Sequence, residues 1–278
     1  MKVYKIQSGV IIEKDKKYYQ LEVENWDTFI NDDNIIENIN GRLSSTNRIK
    51  NASEILELEL QAPIYSQEIW ASGVTYYNSK LGREEESKTS GGAGYYAKVY
   101  VAERPELFFK ANAYRTVGHG GVVRIRKDSE WNVPEPELTL AITSSGKIIG
   151  YTIGNDMSSR SIEGENPLYL PQAKSYDGCA AIGPCILLSD DPISVETKIH
   201  LNIFRNGNNV FNDNIGVDQI KRKFEDLVSY LYLECSFPHG SLLMTGTGIV
   251  PSSDFSLKKD DEIHISIDGI GTLINKVG

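Results

Sequence analysis

The chain has 278 residues, 40% of them apolar, and carries a net charge of −9 with a pI near 5.1. That length can bury a substantial core, in one large domain or in a small domain followed by a larger one. The acidic balance, with no basic stripe or arginine-rich arm, speaks against a nucleic-acid partner, and no stretch approaches the roughly 18 apolar residues of a membrane span. Cys179, Cys185 and Cys235 are odd in number and form no CxxC pair, so reduced thiols in a cytoplasmic protein are expected. The first 19 residues hold no apolar run of signal-peptide length, which agrees with that setting.

Residues 1–63 read as a small α+β unit. Strands are expected over 3–12 and 18–23 around a polar turn at 14–17, then a helical pattern over 25–38. Residues 55–60 alternate like a strand, and Pro63 marks the boundary to a β-rich domain over 64–278. Within that domain, residues 82–94 (GREEESKTSGGAG) combine a charge run with glycines. They read either as a solvated loop or as a mobile lid over a site. The glycines are no nucleotide fingerprint, because the strand–turn–helix context is missing. Residues 138–142 and 147–153 read as strands flanking the turn signal Thr143-Ser144-Ser145-Gly146. A helix is expected over 217–234, where Ile220, Phe224, Leu227, Val228 and Leu231 recur on one face. Strands at 262–267 and 272–276 flank Asp268-Gly269.

The hairpin carries the most informative chemistry. Glu135 and Glu137 are two apart in an extended segment and project to one face. If the turn centres on Ser145-Gly146, Ser144 pairs with Lys147, and counting outward sets Asp156 opposite Glu135. Three carboxylates then converge, which is self-repelling unless a cation lies between them. The alternative is a solvated acidic edge. Two features favour the cation: Pro134 and Pro136 remove backbone donors, and Trp131, Val133, Leu138 and Leu140 surround the acids with apolar groups. An all-oxygen set suits Mg²⁺ first, with Mn²⁺ or Ca²⁺ possible. A 2-oxo acid, which chelates through carboxylate and ketone, is the natural ligand.

Lys174 follows the apolar Leu168-Tyr169-Leu170 and reads as a surface lysine or, if desolvated near a metal, as a base. Glu106 reads as a salt-bridge partner of Arg104 or Lys110, or as an acid/base. His119 reads as a turn residue, and His239 carries no assignment. No nucleophile elbow, HExxH or cysteine–histidine signature supports acyl transfer.

From about Trp70 to the C-terminus the chain resembles the fumarylacetoacetate hydrolase superfamily. The motifs are Glu135-Pro136-Glu137-Leu138, Gly150-Tyr151-Thr152-Ile153-Gly154-Asn155-Asp156-Met157-Ser158-Ser159-Arg160, and Lys174-Ser175-Tyr176-Asp177-Gly178. Ile182-Gly183-Pro184, Thr245-Gly246-Thr247 and Asp268-Gly269-Ile270-Gly271 continue the pattern. The resemblance implies a mixed β-roll, an α+β fold class, a divalent metal on Glu135, Glu137 and Asp156, and a homo-oligomer.

Hydrolase members carry Asn-Tyr-x-x-His-x-x-Glu, whose histidine and glutamate activate water. Here Ser79 stands where the histidine would, and a serine is no general base at neutral pH unaided.

Within the superfamily the nearer resemblance is to dehydratases of 2-keto-3-deoxy-pentonates. It rests on Arg104-Pro105-Glu106-Leu107-Phe108-Phe109-Lys110, Val117-Gly118-His119-Gly120, Asp128-Ser129-Glu130-Trp131 and Glu165-Asn166-Pro167-Leu168. It implies Glu106 and Lys174 as the acid/base pair, in an order left open, with Thr247 toward the substrate carboxylate. The reaction implied takes 2-keto-3-deoxy-D-arabinonate or D-xylonate to 2,5-dioxopentanoate and water. Asn155 and Ser161 depart from the pattern, which leads to aspartates there, and Asn155 is expected close behind the metal. An acylpyruvate-type hydrolase and a non-catalytic 2-oxo-acid-binding protein remain the alternatives.

Overall fold

The expected strand over residues 3–12 is two strands in the computed structural model, which describes residues 1–86 and 93–278, without the side chains of 84–86 and 93. β1 (Lys2–Ile6) and β2 (Gly9–Lys14) pair across a two-residue turn, Ile6 facing Gly9. Gly9 has φ +137°, where a Cβ would lie 2.4 Å from the Leu21 carbonyl oxygen, so only glycine suits. The polar turn before β3 (Lys17–Leu21) is as expected, with Asp15 and Lys16 both at positive φ, the backbone of a tight hairpin.

The helical pattern over 25–38 is split. α1 (Trp26–Ile30) is capped by Asn25, whose side chain accepts from the Thr28 N–H, and α2 (Ile35–Leu43) follows after the Asp32-Asp33-Asn34 break. β4 (Arg48–Ile49) leads to α3 (Ala52–Glu59), a helix where alternation suggested a strand. The period explains the difference. Ala52, Ile55 and Leu56 share one helical face against Ile6 and Ile11, while Leu58 is 85% exposed.

Beyond Pro63 come β5 (Glu68–Gly73), α4 (Tyr77–Glu86), α5 (Ala93–Val101), β6 (Glu106–Ala111), β7 (Thr116–Val117) and β8 (Val122–Val123). Of the stretch 82–94 expected as loop or lid, 82–86 end α4, 93–94 begin α5, and 87–92 lie outside the described residues. β9 (Asn132–Val133), β10 (Pro136–Ile142), β11 (Ile148–Asp156) and β12 (Ser158–Ser159) precede α6 (Arg160–Glu165) and α7 (Leu170–Lys174). The chain closes through β13 (Ala180–Leu188), β14 (Lys198–Arg205), β15 (Asn208–Gly216), α8 (Phe224–Tyr232), β16 (Ser241–Met244), β17 (Glu262–Ile267) and β18 (Gly271–Val277). The helix expected over 217–234 is shorter because Ile220 bridges to Tyr76 and the Lys221 N–H donates to the Thr75 carbonyl, which holds 220–221 extended.

Among the described residues, eleven strands form one mixed sheet with the order β4-β3-β2-β1-β13-β11-β10-β16-β5-β6, β7 pairing with β13. Residues 1–63 join it through the antiparallel β1–β13 pair. A five-stranded sheet, β15-β14-β17-β18-β8, packs on one face. Leu138, Leu140 and Ile142 of β10 point into the core between the sheets, against Ile199, Leu201, Ile263 and Ile265. The period of two therefore turns Glu135 and Glu137 to the opposite face. No helix among the described residues is long and apolar enough to cross a membrane.

Candidate metal and active site

The hairpin puts Asp156 opposite Glu135: Pro136 faces Asn155, and the Asp156 N–H donates to the Glu135 carbonyl at 3.0 Å. The turn itself differs from the expected one. Thr143, not Ser144, pairs with Lys147, closing a three-residue loop through Gly146 at φ +86°. Farther along, Ile142 faces Ile148 but Ala141 faces Gly150, so Ile149 is an extra residue in a bulge. The longer loop and the bulge each shift the register by one, in opposite senses, and they cancel before the acids are reached. Without the bulge Asp156 would face the other side of the sheet.

Glu135, Glu137 and Asp156 are all buried, and one oxygen from each lies within 4.8 Å of the others. Each carboxylate is also held from outside the group. Arg160, at the start of α6, donates to Glu135 Oε1 at 3.1 Å. The Gly246 N–H, just after β16, donates to Glu137 Oε2 at 2.5 Å. Lys110 Nζ is in ionic contact with Asp156 Oδ1 at 2.6 Å. Gly246 must be glycine here: its φ is +94°, and a Cβ would meet Thr75 Oγ1 at 2.0 Å.

Lys174, the last residue of α7, is fully buried. Its ammonium lies 2.7 Å from Glu135 Oε2, 3.0 Å from Asp156 Oδ2, 2.5 Å from Ser158 Oγ and 3.3 Å from Glu163 Oε1. Burial opposes its charge, but Asp156, Glu135 and Glu163 outweigh burial and raise its pKa above the ordinary lysine value. Burial likewise opposes ionisation of Glu135, yet Lys174, Arg160 and Arg83 hold its carboxyl well below the usual range. Glu137 goes the other way: burial, with Asp156 and Glu135 beside it, pushes it well above that range. Three carboxylates with only oxygen donors, one of them poorly compensated, fit a hard divalent cation.

Glu106 opens β6 directly across from Gly73 of β5. A Cβ on Gly73 would lie 2.1 Å from Glu106 Oε2, so the glycine makes the seat for this carboxyl. Burial raises the Glu106 pKa, partly offset by Arg83. Neither expected salt bridge forms: Lys110 is spent on Asp156, and the Arg104 guanidinium lies over the Tyr230 ring at 5.2 Å.

A small cavity is lined by the three acids, Lys174, Thr247 and Gly73, among others. Glu106 does not line it but stands against Gly73, which does. Thr247 Oγ1 accepts from the Ile249 N–H at 3.2 Å.

Ser79 also lines the cavity, but its hydroxyl donates to the Tyr76 carbonyl at 2.7 Å and accepts from the Tyr76 N–H at 3.2 Å, capping α4. The hydrolase motif's glutamate position is Gly82, where a Cβ would meet Val250 at 2.9 Å. Asn155 is turned by the pleat to the face opposite Asp156, its amide buried without a partner among the described residues. Ser161 Oγ accepts from the Trp131 N–H at 2.9 Å.

Six partners of the site had no role in it from sequence: Lys110, Ser158, Arg160, Gly246, Glu163 and Arg83, which pairs with Glu163 at 2.6 Å. Lys110 had a signal, because Glu106, Phe108 and Lys110 alternate along one strand and share a face.

The family described as Fumarylacetoacetate (FAA) hydrolase C-terminal matches residues 85–278. A Haloferax volcanii protein named "Probable 2-keto-3-deoxyxylonate dehydratase" is 47% identical over 216 residues, covering 77% of this chain and 73% of its own. A Saccharolobus solfataricus 2-dehydro-3-deoxy-D-arabinonate dehydratase is 45% identical over 228 residues, covering 81% and 76%. A solved structure of 2-keto-3-deoxy-D-arabinonate dehydratase complexed with magnesium and 2,5-dioxopentanoate superposes with a TM-score of 0.84 at 36% identity, covering 100% of this chain and 98% of that one.

Proposed function

The chain belongs to the fumarylacetoacetate hydrolase family, and we propose that it is a Mg²⁺-dependent dehydratase of 2-keto-3-deoxy-pentonates. The substrate is 2-keto-3-deoxy-D-arabinonate, reached equally from D-xylonate, and the products are 2,5-dioxopentanoate and water. One observation carries the reading: Lys174 Nζ lies 2.7 Å and 3.0 Å from two of three buried carboxylates able to hold a metal. The dehydratase relatives at 45% and 47% identity support the substrate class.

Glu135, Glu137 and Asp156 would hold the cation, which would acidify the C3 protons of a 2-oxo acid and stabilise charge on its ketone oxygen. With the cation held there, Lys174 would act as the base toward C3, its Nζ lying 2.7 Å and 3.0 Å from the Glu135 and Asp156 oxygens. Glu106, whose pKa burial raises, donates to the departing C4 hydroxyl. Loss of the C3 proton and the C4 hydroxide gives the unsaturated acid and one water. A C5 proton then moves to C3, leaving the C4–C5 enol, and transfer of the enol O–H proton to C4 gives the C5 aldehyde. Thr247 receives the substrate carboxylate. Ser79, spent on its helix cap, and Gly82 offer no base for water, which favours elimination over hydrolysis. The reading includes a homo-oligomer and a cytoplasmic setting, the latter supported by unpaired Cys179, Cys185 and Cys235.

The test is a steady-state comparison of 2-keto-3-deoxy-D-arabinonate with an acylpyruvate in the presence of Mg²⁺. Dehydration with little cleavage is the expected outcome. Efficient acylpyruvate cleavage favours the hydrolase, and binding of either acid without turnover favours a non-catalytic protein. Gly73→Ala should lower turnover about 10²-fold by displacing Glu106, with the fold retained by circular dichroism. Unchanged turnover would remove Glu106 from the reaction.

A further inference from the structure

The three acids share a feature beyond their convergence. Each has one oxygen in hydrogen-bonded or ionic contact with a group outside the three. Arg160 holds Glu135 Oε1, the Gly246 N–H holds Glu137 Oε2, and Lys110 holds Asp156 Oδ1. The opposite oxygens of Glu135 and Asp156 are the ones that meet Lys174. A carboxylate so engaged offers a metal one oxygen rather than two.

Lys110 is the most deeply placed of the three donors. It is fully buried on β6, and Nζ also donates to the Met157 carbonyl at 2.9 Å and to the Lys174 carbonyl. Ser175 Oγ donates back to the Lys110 carbonyl at 2.8 Å. One residue thus fixes both the carboxylate of Asp156 and the backbone from which Lys174 projects.

Denticity matters to the choice of ion. Ca²⁺ takes six to eight oxygens at about 2.3–2.6 Å and commonly uses bidentate carboxylates, whereas Mg²⁺ requires near-octahedral single oxygens at about 2.0–2.1 Å. We infer that Lys110 and Arg160 are selectivity-determining positioning residues, which keep Asp156 and Glu135 monodentate and so bias the site toward Mg²⁺ over Ca²⁺. This rests on the proposed metal site and adds to it a reason for the ion chosen.

The test is calorimetric titration of Mg²⁺ and Ca²⁺ into chelator-treated full-length wild type, Lys110→Met and Arg160→Met. Each variant should bind Mg²⁺ about 10–100-fold more weakly, with a smaller loss for Ca²⁺. The ratio of the Ca²⁺ to the Mg²⁺ dissociation constant should then fall roughly tenfold. A purely structural role would weaken both ions alike and leave the ratio unchanged, which overturns the inference. If Lys110→Met fails to fold, Arg160→Met decides alone, since it frees Glu135 Oε1 without touching the α7 backbone. Cation binding with an unaltered ratio removes this inference only. No cation binding to the wild type removes the metal reading with it.

Discussion

Lys174→Met should lower dehydration by about 10²–10⁴-fold, the contribution of a positioned proton-transfer group. The substitution fills nearly the same volume, so the loss reports on the amine and not on a cavity. It also leaves Glu135, Asp156 and Glu163 without the ammonium that now lies 2.7–3.3 Å from each. Removing one partner from a buried ionic cluster costs about 3–5 kcal/mol, so the metal-free variant should melt well below wild type. Added Mg²⁺ should restore much of that difference, because the cation takes up the charge of the same oxygens without competition from the lysine. Melting curves with and without Mg²⁺, beside turnover, separate the two effects. A variant that turns over at the wild-type rate would end the assignment of Lys174 as base.

Glu106→Gln should also lose about 10²–10⁴-fold in turnover while keeping or gaining stability at neutral pH. The sign follows from burial. Its folded-state pKa is raised, so the folded protein binds this proton more tightly than the unfolded chain does. The favourable contribution is complete below the unfolded carboxyl pKa, about 4.3, and is lost as pH rises toward and through the folded value. Glutamine cannot ionise, so the variant should lack that decline. Stability measured against pH should therefore fall less steeply in Glu106→Gln than in wild type. If Glu106 is the acid, wild-type turnover should fall as pH rises through its folded pKa, a limb absent from the variant's residual rate. Parallel pH profiles would contradict the role.

Much of the site was legible because the hairpin obeys a period of two. Glu135 and Glu137 share a face by spacing alone, and Leu138, Leu140 and Ile142 mark the other face as core. The position of Asp156 was legible for a less secure reason. Counting from a two-residue turn missed both the three-residue loop and the bulge at Ile149, and the two departures cancel. The donors behind the acids were harder to foresee, since Gly246 lies 109 residues from Glu137 and Lys110 joins through a separate strand. No local pattern fixes such pairings. The helix over Ala52–Glu59 was misread because Ile55-Leu56-Glu57-Leu58-Glu59-Leu60 offers apolar residues at both periods. Only packing of Ala52, Ile55 and Leu56 against β1 and β2 selects the helical one.

The most direct measurement is NMR identification of the products from 2-keto-3-deoxy-D-arabinonate with and without a chelator. Dehydration predicts conversion to 2,5-dioxopentanoate, seen by its C5 aldehyde or hydrate, abolished by EDTA and restored by Mg²⁺. Pyruvate with a two-carbon aldehyde, product formation undiminished by the chelator, or unchanged substrate in the presence of Mg²⁺ would contradict it.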